Sequence, residues 1–256
     1  MEREIYSGIT YSNGPVNVIY EDNHVLAVVK PAGILSQSDA GGDEDLLTLL
    51  KNDVAVRKNK PGAAYIGLVH RLDRNTGGTM IFAKTSKGAM RLSAEMREKR
   101  FKKCYFALAE GLFDAPEGVY LRDFLKKDEK NNLVERAADG KECVLFAQSL
   151  AFRDGFTLVA AVPVTGRTHQ IRAQLALRGN PLAGDKKYGG REIKTDGGEP
   201  FLGLWSSVAA VKHPVKDVET VFESVPDARG AWSVFTEREY RAFLPEMLEI
   251  CERVKG

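Results

Sequence analysis

HRLDRNTGG at residues 70–78 runs directly into the apolar stretch TMIFA at residues 79–83, so that a dense polar turn leads into a predicted strand. Residues 75–78 are of the types that favour turns. Earlier in the chain, residues 16–20 and 25–29 are rich in β-branched side chains and are separated by four polar residues. This spacing predicts a strand, a turn and a second strand ahead of the polar segment.

The remaining apolar patterns predict more strands than helices. Strands are expected at 104–109, 119–124, 142–152, 156–162, 208–211 and 219–222. Helices are expected at 46–50, 87–100, 167–178 and 237–254, the last of them interrupted or bent at Pro245. Because many strands follow one another directly, antiparallel pairing is favoured. We therefore predict an α+β fold with a mixed, mostly antiparallel central β-sheet flanked by helices.

Composition places the chain among ordinary globular proteins. It has 256 residues, 43% of them hydrophobic and 28% charged, with a formal net charge of +2. The first residues, MEREI, lack the apolar core that is typical of a signal peptide, and no run of about 18 apolar residues or Cys/His metal-binding spacing is present in the sequence. The three cysteines are far apart, which is typical of free thiols in a reducing compartment. We expect a cytoplasmic monomer without a metal site.

Positive charge is concentrated in the middle of the chain. Residues 84–103 contain eight Lys or Arg residues and only two Glu residues. A locally basic surface on a nearly neutral protein indicates a polyanionic partner. A solvated helix face is the competing interpretation.

Asp73 is the strongest candidate for chemistry because it lies between Arg71 and Arg74. Nearby cations favour the charged form of a carboxylate, and a partly desolvated carboxylate is suited to nucleophilic catalysis. The competing interpretation is an exposed ion pair on a loop, which contributes about 0–1 kcal/mol.

Two further segments carry candidate residues. At 165–172 a glycine turn feeds a helix, on which Arg167 and Arg172 could face an anion. A capped amphipathic helix with solvated arginines is the alternative. Lys102 and Lys103 lead into a strand in which Tyr105 could stack on a base or transfer a proton. The alternative there is a half-buried structural tyrosine.

Taken in order, these segments resemble the RluA-type family of RNA pseudouridine synthases. The resemblance runs from residue 18 to about residue 226. It is carried by VIYED at 18–22, VVKPAG at 28–33, HRLDR at 70–74, GRTHQIR at 166–172, GNP at 179–181 and GD at 184–185. The motifs are weak singly, but their joint presence in this order is highly specific.

The resemblance implies a role for each candidate residue. Asp73 aligns with the essential aspartate, Tyr105 with the tyrosine that packs on the target base, and Arg172 with the arginine that pairs with the catalytic carboxylate. Arg71 aligns with the arginine that enters RNA near the space left by a flipped nucleotide. The expected RNA contacts are Arg71, His70, Arg74, Arg167, His169, Lys102 and Lys103. The partner would be a structured ribosomal or transfer RNA stem-loop, and the isomerisation requires no cofactor.

The sequence departs from the family pattern in places. Asn75 and Gly77 stand where the family often has Asp and Ser, and LWS at 204–206 replaces a Leu-His-Ala-like pattern. These departures bear on substrate contacts. We expect a catalytic domain over residues 1–235, without the separate S4-type RNA-binding domain of some relatives, and a C-terminal helical extension over residues 236–256.

Two other functions compete with an RNA isomerase. A metal-free glycosidase would need a pair of carboxylates, which is not evident in the sequence. A noncatalytic RNA-binding or ribosome-assembly protein would keep the basic surface but would not need Asp73. The combination of Asp73, Tyr105 and Arg172 favours the enzyme.

Overall fold

A computed structural model of the protein describes residues 2–39, 41–59, 61–193 and 201–254. The strands are β1 Glu2–Tyr6, β2 Tyr11–Asn13, β3 Val16–Glu21, β4 Val25–Lys30, β5 Gly67–Leu68, β6 Gly77–Ala83, β7 Lys102–Glu110, β8 Val119–Asp128, β9 Leu133–Arg136, β10 Lys141–Arg153, β11 Phe156–Pro163, β12 Leu204–Lys212 and β13 Val218–Glu223. The helices are α1 Leu46–Arg57, α2 Ser86–Arg97, α3 Gln170–Ala176 and α4 Glu237–Arg253.

The chain divides into two compact units. The first unit consists of Met1–Lys102 and Ser206–Ser224, and the second of Lys103–Trp205 and Val225–Gly256. Helix α4 lies in the second unit, and the predicted C-terminal extension over residues 236–256 stays a prediction. The assignment of catalytic function to residues 1–235 stays a prediction.

In the first unit, strands β2, β3, β4, β6 and β12 lie side by side in that order, and β13 lies next to β12. Strand β1 pairs with β13 in parallel, whereas β13 is antiparallel to β12 and β4 is antiparallel to β6. Leu92 of α2 and Phe101 pack against Val25, Ile81 and Phe222 of the sheet. These buried side chains come from the alternating apolar positions of the predicted strands, so the hydrophobic effect holds α2 against the sheet.

In the second unit, β7, β11, β10, β8 and β9 form an antiparallel sheet with helices on opposite faces. Ala173 of α3 packs with Cys143 of β10 on one face. On the other face, the Arg253 guanidinium of α4 lies 5.3 Å from the ring centroid of Phe146. Positions 143 and 146 point to opposite sides because side chains alternate along a strand.

The predicted fold class is confirmed: the protein is α+β with mixed, mostly antiparallel pairing. One local difference bears on the site: α3 was expected from residue 167 but begins at Gln170. The Gln170 side-chain oxygen accepts from the Arg167 backbone N–H and from the Thr165 hydroxyl, so residues 165–169 form a turn. His169 adopts a left-handed conformation there, with φ of 51°. Among the described helices, none combines the length and apolarity needed to cross a membrane.

Candidate active site

Asp73 lies in a tight turn that leads into β6. The Thr76 N–H donates to the Asp73 carbonyl at 3.0 Å, which closes the turn, and the Asp73 side chain is half-buried. Gly78 follows with φ of 113°, and a Cβ at this position would lie 2.3 Å from the Ser206 carbonyl oxygen. Glycine is required there because β6 approaches the backbone of β12 too closely for any side chain.

Residues 33–36 fix the Asp73 turn by hydrogen bonds to Leu72 and Arg74, the residues on either side of Asp73. The Ser36 hydroxyl donates to the Leu72 carbonyl at 2.8 Å and accepts from the Leu72 N–H at 3.1 Å. The Gly33 N–H donates to the Arg74 carbonyl at 2.9 Å, and Arg74 Nε donates to the Gly33 carbonyl at 3.0 Å. Residues 72 and 74 are therefore both fixed by the 33–36 segment, and Asp73 projects from between them.

Lys30 adds a buried cation to this arrangement. Its Nζ donates to the Pro31 carbonyl at 2.8 Å and to the Arg74 carbonyl at 2.9 Å, and the residue is 0% exposed. Burial lowers the pKa of Lys30 to about 7, opposed by the Asp73 carboxylate and assisted by Arg74. The sequence offered a signal in the KPAG stretch at 30–33, but we assigned it only to an opening strand.

His70 supports the start of this loop from the interior. It is 6% exposed, its Nε2 accepts from the Ile81 N–H at 2.9 Å, and its ring lies 5.0 Å from that of Phe101. A side chain in this position has little surface to offer RNA and instead links the loop to β6.

The two arginines beside Asp73 differ in their surroundings. Arg71 is exposed. The Arg74 side chain is 51% exposed, and its guanidinium pairs with Asp43 at 2.7 Å. Both therefore keep exposed surface, and their predicted contacts with RNA stay a prediction.

Tyr105 lies in the second unit, on β7, and is 6% exposed. Its neighbours Cys104 and Phe106 face α4, since the Phe106 ring centroid lies 5.4 Å from that of Tyr240. Strand alternation turns Tyr105 to the opposite face, where its cross-strand partner is Ala161. That is the face on which α3 packs, so Tyr105 and the helix that carries Arg172 share one side of the sheet.

Arg172 is held in α3 by an ion pair that the sequence did not predict. Its Nε donates to Asp185 Oδ2 at 2.7 Å and its Nη2 donates to Asp185 Oδ1 at 2.8 Å. Nearby, Arg167 is exposed, and Nδ1 of the half-buried His169 lies 2.9 Å from the Tyr188 hydroxyl.

Much of the basic segment at 84–103 is engaged within the first unit. Lys84 pairs with Glu21, Lys102 pairs with Glu219 at 2.9 Å, and Arg100 pairs with Glu95 at 2.7 Å. Lys103, which opens the second unit, is half-buried, and desolvation lowers its pKa. The basic segment therefore offers phosphates less unpaired positive charge than its sequence suggests, and Lys102 and Lys103 contribute little to that charge.

Across the described ranges, no three His, Cys, Asp or Glu side chains gather in a way that could hold a metal ion. The Asp73 turn combines a half-buried carboxylate with nearby cations and a fixed backbone. This arrangement can present a nucleophile or an electrostatic stabiliser.

Comparison with known proteins identifies the family. The family described as RNA pseudouridylate synthase matches residues 24–177, more than half of the chain. Ribosomal large subunit pseudouridine synthase C of Vibrio parahaemolyticus serotype O3:K6 is 36% identical over 203 residues, covering 78% of this chain and 62% of that protein. The protein of the same name from Escherichia coli strain K12 is 33% identical over 209 residues, covering 77% of this chain and 62% of that protein. The chain thus spans less than two thirds of the length of these relatives.

Solved structures share the fold. Human RNA pseudouridylate synthase domain containing 1 superimposes with a TM-score of 0.62 at 21% identity, covering 83% of this chain and 84% of that one. Human RNA pseudouridylate synthase domain containing 4 gives a TM-score of 0.57 at 21% identity, covering 76% and 83%. The extent of the family match and the identity to the bacterial relatives show that this chain belongs to the RNA pseudouridylate synthase family.

Proposed function

We propose that this protein isomerises specific uridines in structured RNA to pseudouridine, with Asp73 as the nucleophile. The observation that carries the proposal is the way in which residues 30–36 hold Leu72 and Arg74, so that the carboxylate between them is presented on rigid backbone. An exposed loop ion pair would not need two hydrogen bonds on each neighbour and a buried lysine beneath them.

The reaction exchanges one bond to the sugar for another. The C1′–N1 glycosidic bond breaks, the uracil turns, and a C1′–C5 bond forms. The C5 proton leaves and N1 gains a proton, so no group is added and no redox change occurs. The reaction therefore needs no cofactor. A stacked uracil is out of reach, and flipping it out of the helix costs a few kcal/mol.

The other residues would act around this step. Asp73 attacks the sugar at C1′ or promotes glycal formation. Arg172 orients the Asp73 carboxylate, and Tyr105 packs on the uracil and removes the C5 proton. Arg71 fills the space that the flipped nucleotide leaves. Each of these roles is transferred from the family resemblance.

Exposure ranks the proposed RNA contacts. Arg71, Arg74 and Arg167 are exposed and His169 is half-buried, so these four are the strongest candidates to meet phosphates or splayed bases. His70, Lys102 and Lys103 are weaker candidates, because His70 is buried, Lys102 is in an ion pair and Lys103 is only partly exposed.

The substrate we favour is large-subunit ribosomal RNA, because the relatives at 33–37% identity are named for that subunit. The recognition element would be a stem-loop whose bases can be splayed out. We further propose that the protein works as a monomer in the cytoplasm.

Pseudouridine mapping tests this proposal. Total RNA would be mapped from cells that lack the protein and from the same cells complemented with wild type or with Asp73→Asn. We expect one or a few sites in large-subunit ribosomal RNA to disappear and to return only with wild type. An unchanged map, in cells that also lack related synthases, would leave a noncatalytic RNA-binding protein as the better description.

A further inference from the structure

The Asp185 carboxylate binds the guanidinium of Arg172 along one edge. The two hydrogen bonds to Asp185, at 2.7 and 2.8 Å, join Nε and Nη2 to the two carboxylate oxygens. The side chains are 11% and 1% exposed, so the pair is shielded from water. A planar, bidentate pair fixes the orientation of the guanidinium plane as well as its position.

Asp185 is itself fixed by a compact loop. Its N–H donates to the Leu182 carbonyl at 3.0 Å, and its carbonyl accepts from the Gly190 N–H at 2.9 Å and the Tyr188 N–H at 3.0 Å. Gly184 has φ of 78°, and a Cβ there would lie 2.3 Å from the carbonyl oxygen of Phe201. The carboxylate therefore starts from a backbone that has little freedom to move.

The ring of Tyr188 lies beneath the same guanidinium, with Cζ of Arg172 over the ring. Its centroid lies 5.1 Å from Cζ of Arg172, which is within the range of a cation–π contact. The Tyr188 hydroxyl accepts from the Val134 N–H at 2.9 Å and lies 2.9 Å from Nδ1 of His169. The ring is therefore held from β9 and from the residue that precedes α3.

We propose that Asp185 and Tyr188 are positioning residues that hold Arg172 in one orientation for catalysis. The proposal rests on the proposed function, in which Arg172 orients the catalytic carboxylate. With Nε and Nη2 hydrogen-bonded to Asp185, and with Cζ over the Tyr188 ring, the direction of the remaining nitrogen, Nη1, is set. A buried ion pair is weak evidence for stability, because apolar side chains of similar volume often serve as well. Fixed geometry is the property that such a replacement would lose.

A double-mutant cycle on turnover tests whether Asp185 acts through Arg172. The variants are Asp185→Asn, Arg172→Met and the double substitution, with Asp139→Asn as a control for an exposed aspartate in the same unit. The substrate is a large-subunit ribosomal RNA transcript carrying tritium at C5 of uracil, and single-turnover tritium release reports the reaction. Filter binding gives the RNA affinity, and thermal unfolding reports folding.

We expect Asp185→Asn to lower the single-turnover rate about 10- to 100-fold with RNA affinity within twofold of wild type, because a misplaced catalytic group costs rate more than binding. In the Arg172→Met background, Asp185→Asn should cost nothing further. A purely structural role predicts instead that the two losses multiply, and that result would overturn the proposal. A wild-type rate in Asp185→Asn would also overturn it.

Tyr188 supplies a second test, because Asp185→Asn leaves the buried Arg172 without its carboxylate partner and the variant could fail to fold. Tyr188→Phe keeps the ring and should retain the rate within about threefold, whereas Tyr188→Leu should lower it about tenfold. Equal rates in these two variants would remove Tyr188 from the proposal. If wild type itself releases no tritium from ribosomal or total RNA, the proposed function fails rather than this inference.

Discussion

The Asp73 turn and the Arg172 helix are held in different ways. The turn is held mainly through backbone atoms: Ser36 and Gly33 grip the main chain of Leu72 and Arg74, and Lys30 caps a carbonyl. Arg172 is held through side chains, by the Asp185 carboxylate and the Tyr188 ring. A charged side chain can therefore be positioned by fixing its backbone or by fixing its head group.

The difference has a physical reason. Asp is short, so fixing φ and ψ on either side leaves its carboxylate little range. Arg has a long flexible stem, and it loses its freedom only when the guanidinium itself is bound. Substitutions near Asp73 should thus act through loop stability, and those near Arg172 through head-group geometry.

The largest effect on stability is expected for Ser36→Ala. The change leaves the buried Leu72 N–H and carbonyl without the hydroxyl that serves both, at a cost of about 3 kcal/mol. Turnover should fall as the Asp73 turn loosens. Urea unfolding and single-turnover kinetics check this, with exposed Ser12→Ala as the control. If Ser36→Ala unfolds like wild type, backbone clamping does not hold the turn.

Lys30 gives a prediction about pH. Its pKa of about 7 in the folded protein is lower than in the unfolded chain, so the unfolded chain binds more protons above pH 7. Stability should rise with pH, by about 2 kcal/mol between pH 7 and pH 9, relative to Lys30→Met. Urea unfolding at a series of pH values measures this difference. Exposed Lys87→Met should keep the wild-type slope, and a matching slope in Lys30→Met would contradict the burial argument.

Tyr188→Phe tests the side-chain contacts around Arg172, and its expected effect on stability is smaller. Loss of the hydroxyl removes the bond from the Val134 N–H and should lower the free energy of unfolding by about 1 kcal/mol. Thermal unfolding measures it, and Tyr120→Phe, a half-exposed tyrosine of the same unit, should show no loss. A loss of several kcal/mol would mean that Tyr188 supports the unit's core rather than one arginine.

The smallest effects are expected for the exposed arginines of the two units. Arg71→Gln and Arg167→Gln should each weaken RNA binding about two- to fivefold and make its salt dependence shallower by about one phosphate contact. Filter binding across a salt series distinguishes them from Arg122→Gln, an exposed arginine on the α4 face of the second unit. An equal change in Arg122→Gln would point to nonspecific charge.

Much of the fold followed from local pattern. Strands such as β4 and β11 were predicted within a residue or two, because their apolar runs are long and bounded by turn residues. Strand β9, with the sequence LVER, was missed because it is short and half polar. The late start of α3 was missed because a side chain, Gln170, closes the preceding turn.

The site was predictable only in part. Local pattern made Asp73, Tyr105 and Arg172 candidates, but each alone had a plausible structural role. The family resemblance then favoured the catalytic role, which stays a prediction. The partners of Arg172 and of Leu72 lie 13 and 36 residues away in loops, and no sequence periodicity links them to these residues. The sequence also did not show that His70 is buried or that Lys102 pairs with Glu219, and their contacts with RNA stay predictions.

Because α4 packs on β7, the reactivity of the Cys104 thiol on that strand depends on whether α4 is in place. Cys104 is 0% exposed on the face that α4 covers, and burial raises its pKa well above that of an ordinary thiol. A protonated, covered thiol reacts slowly with alkylating reagents. The alkylation rate of Cys104 would therefore report how often α4 moves away from β7, which is a measure of local opening in the second unit.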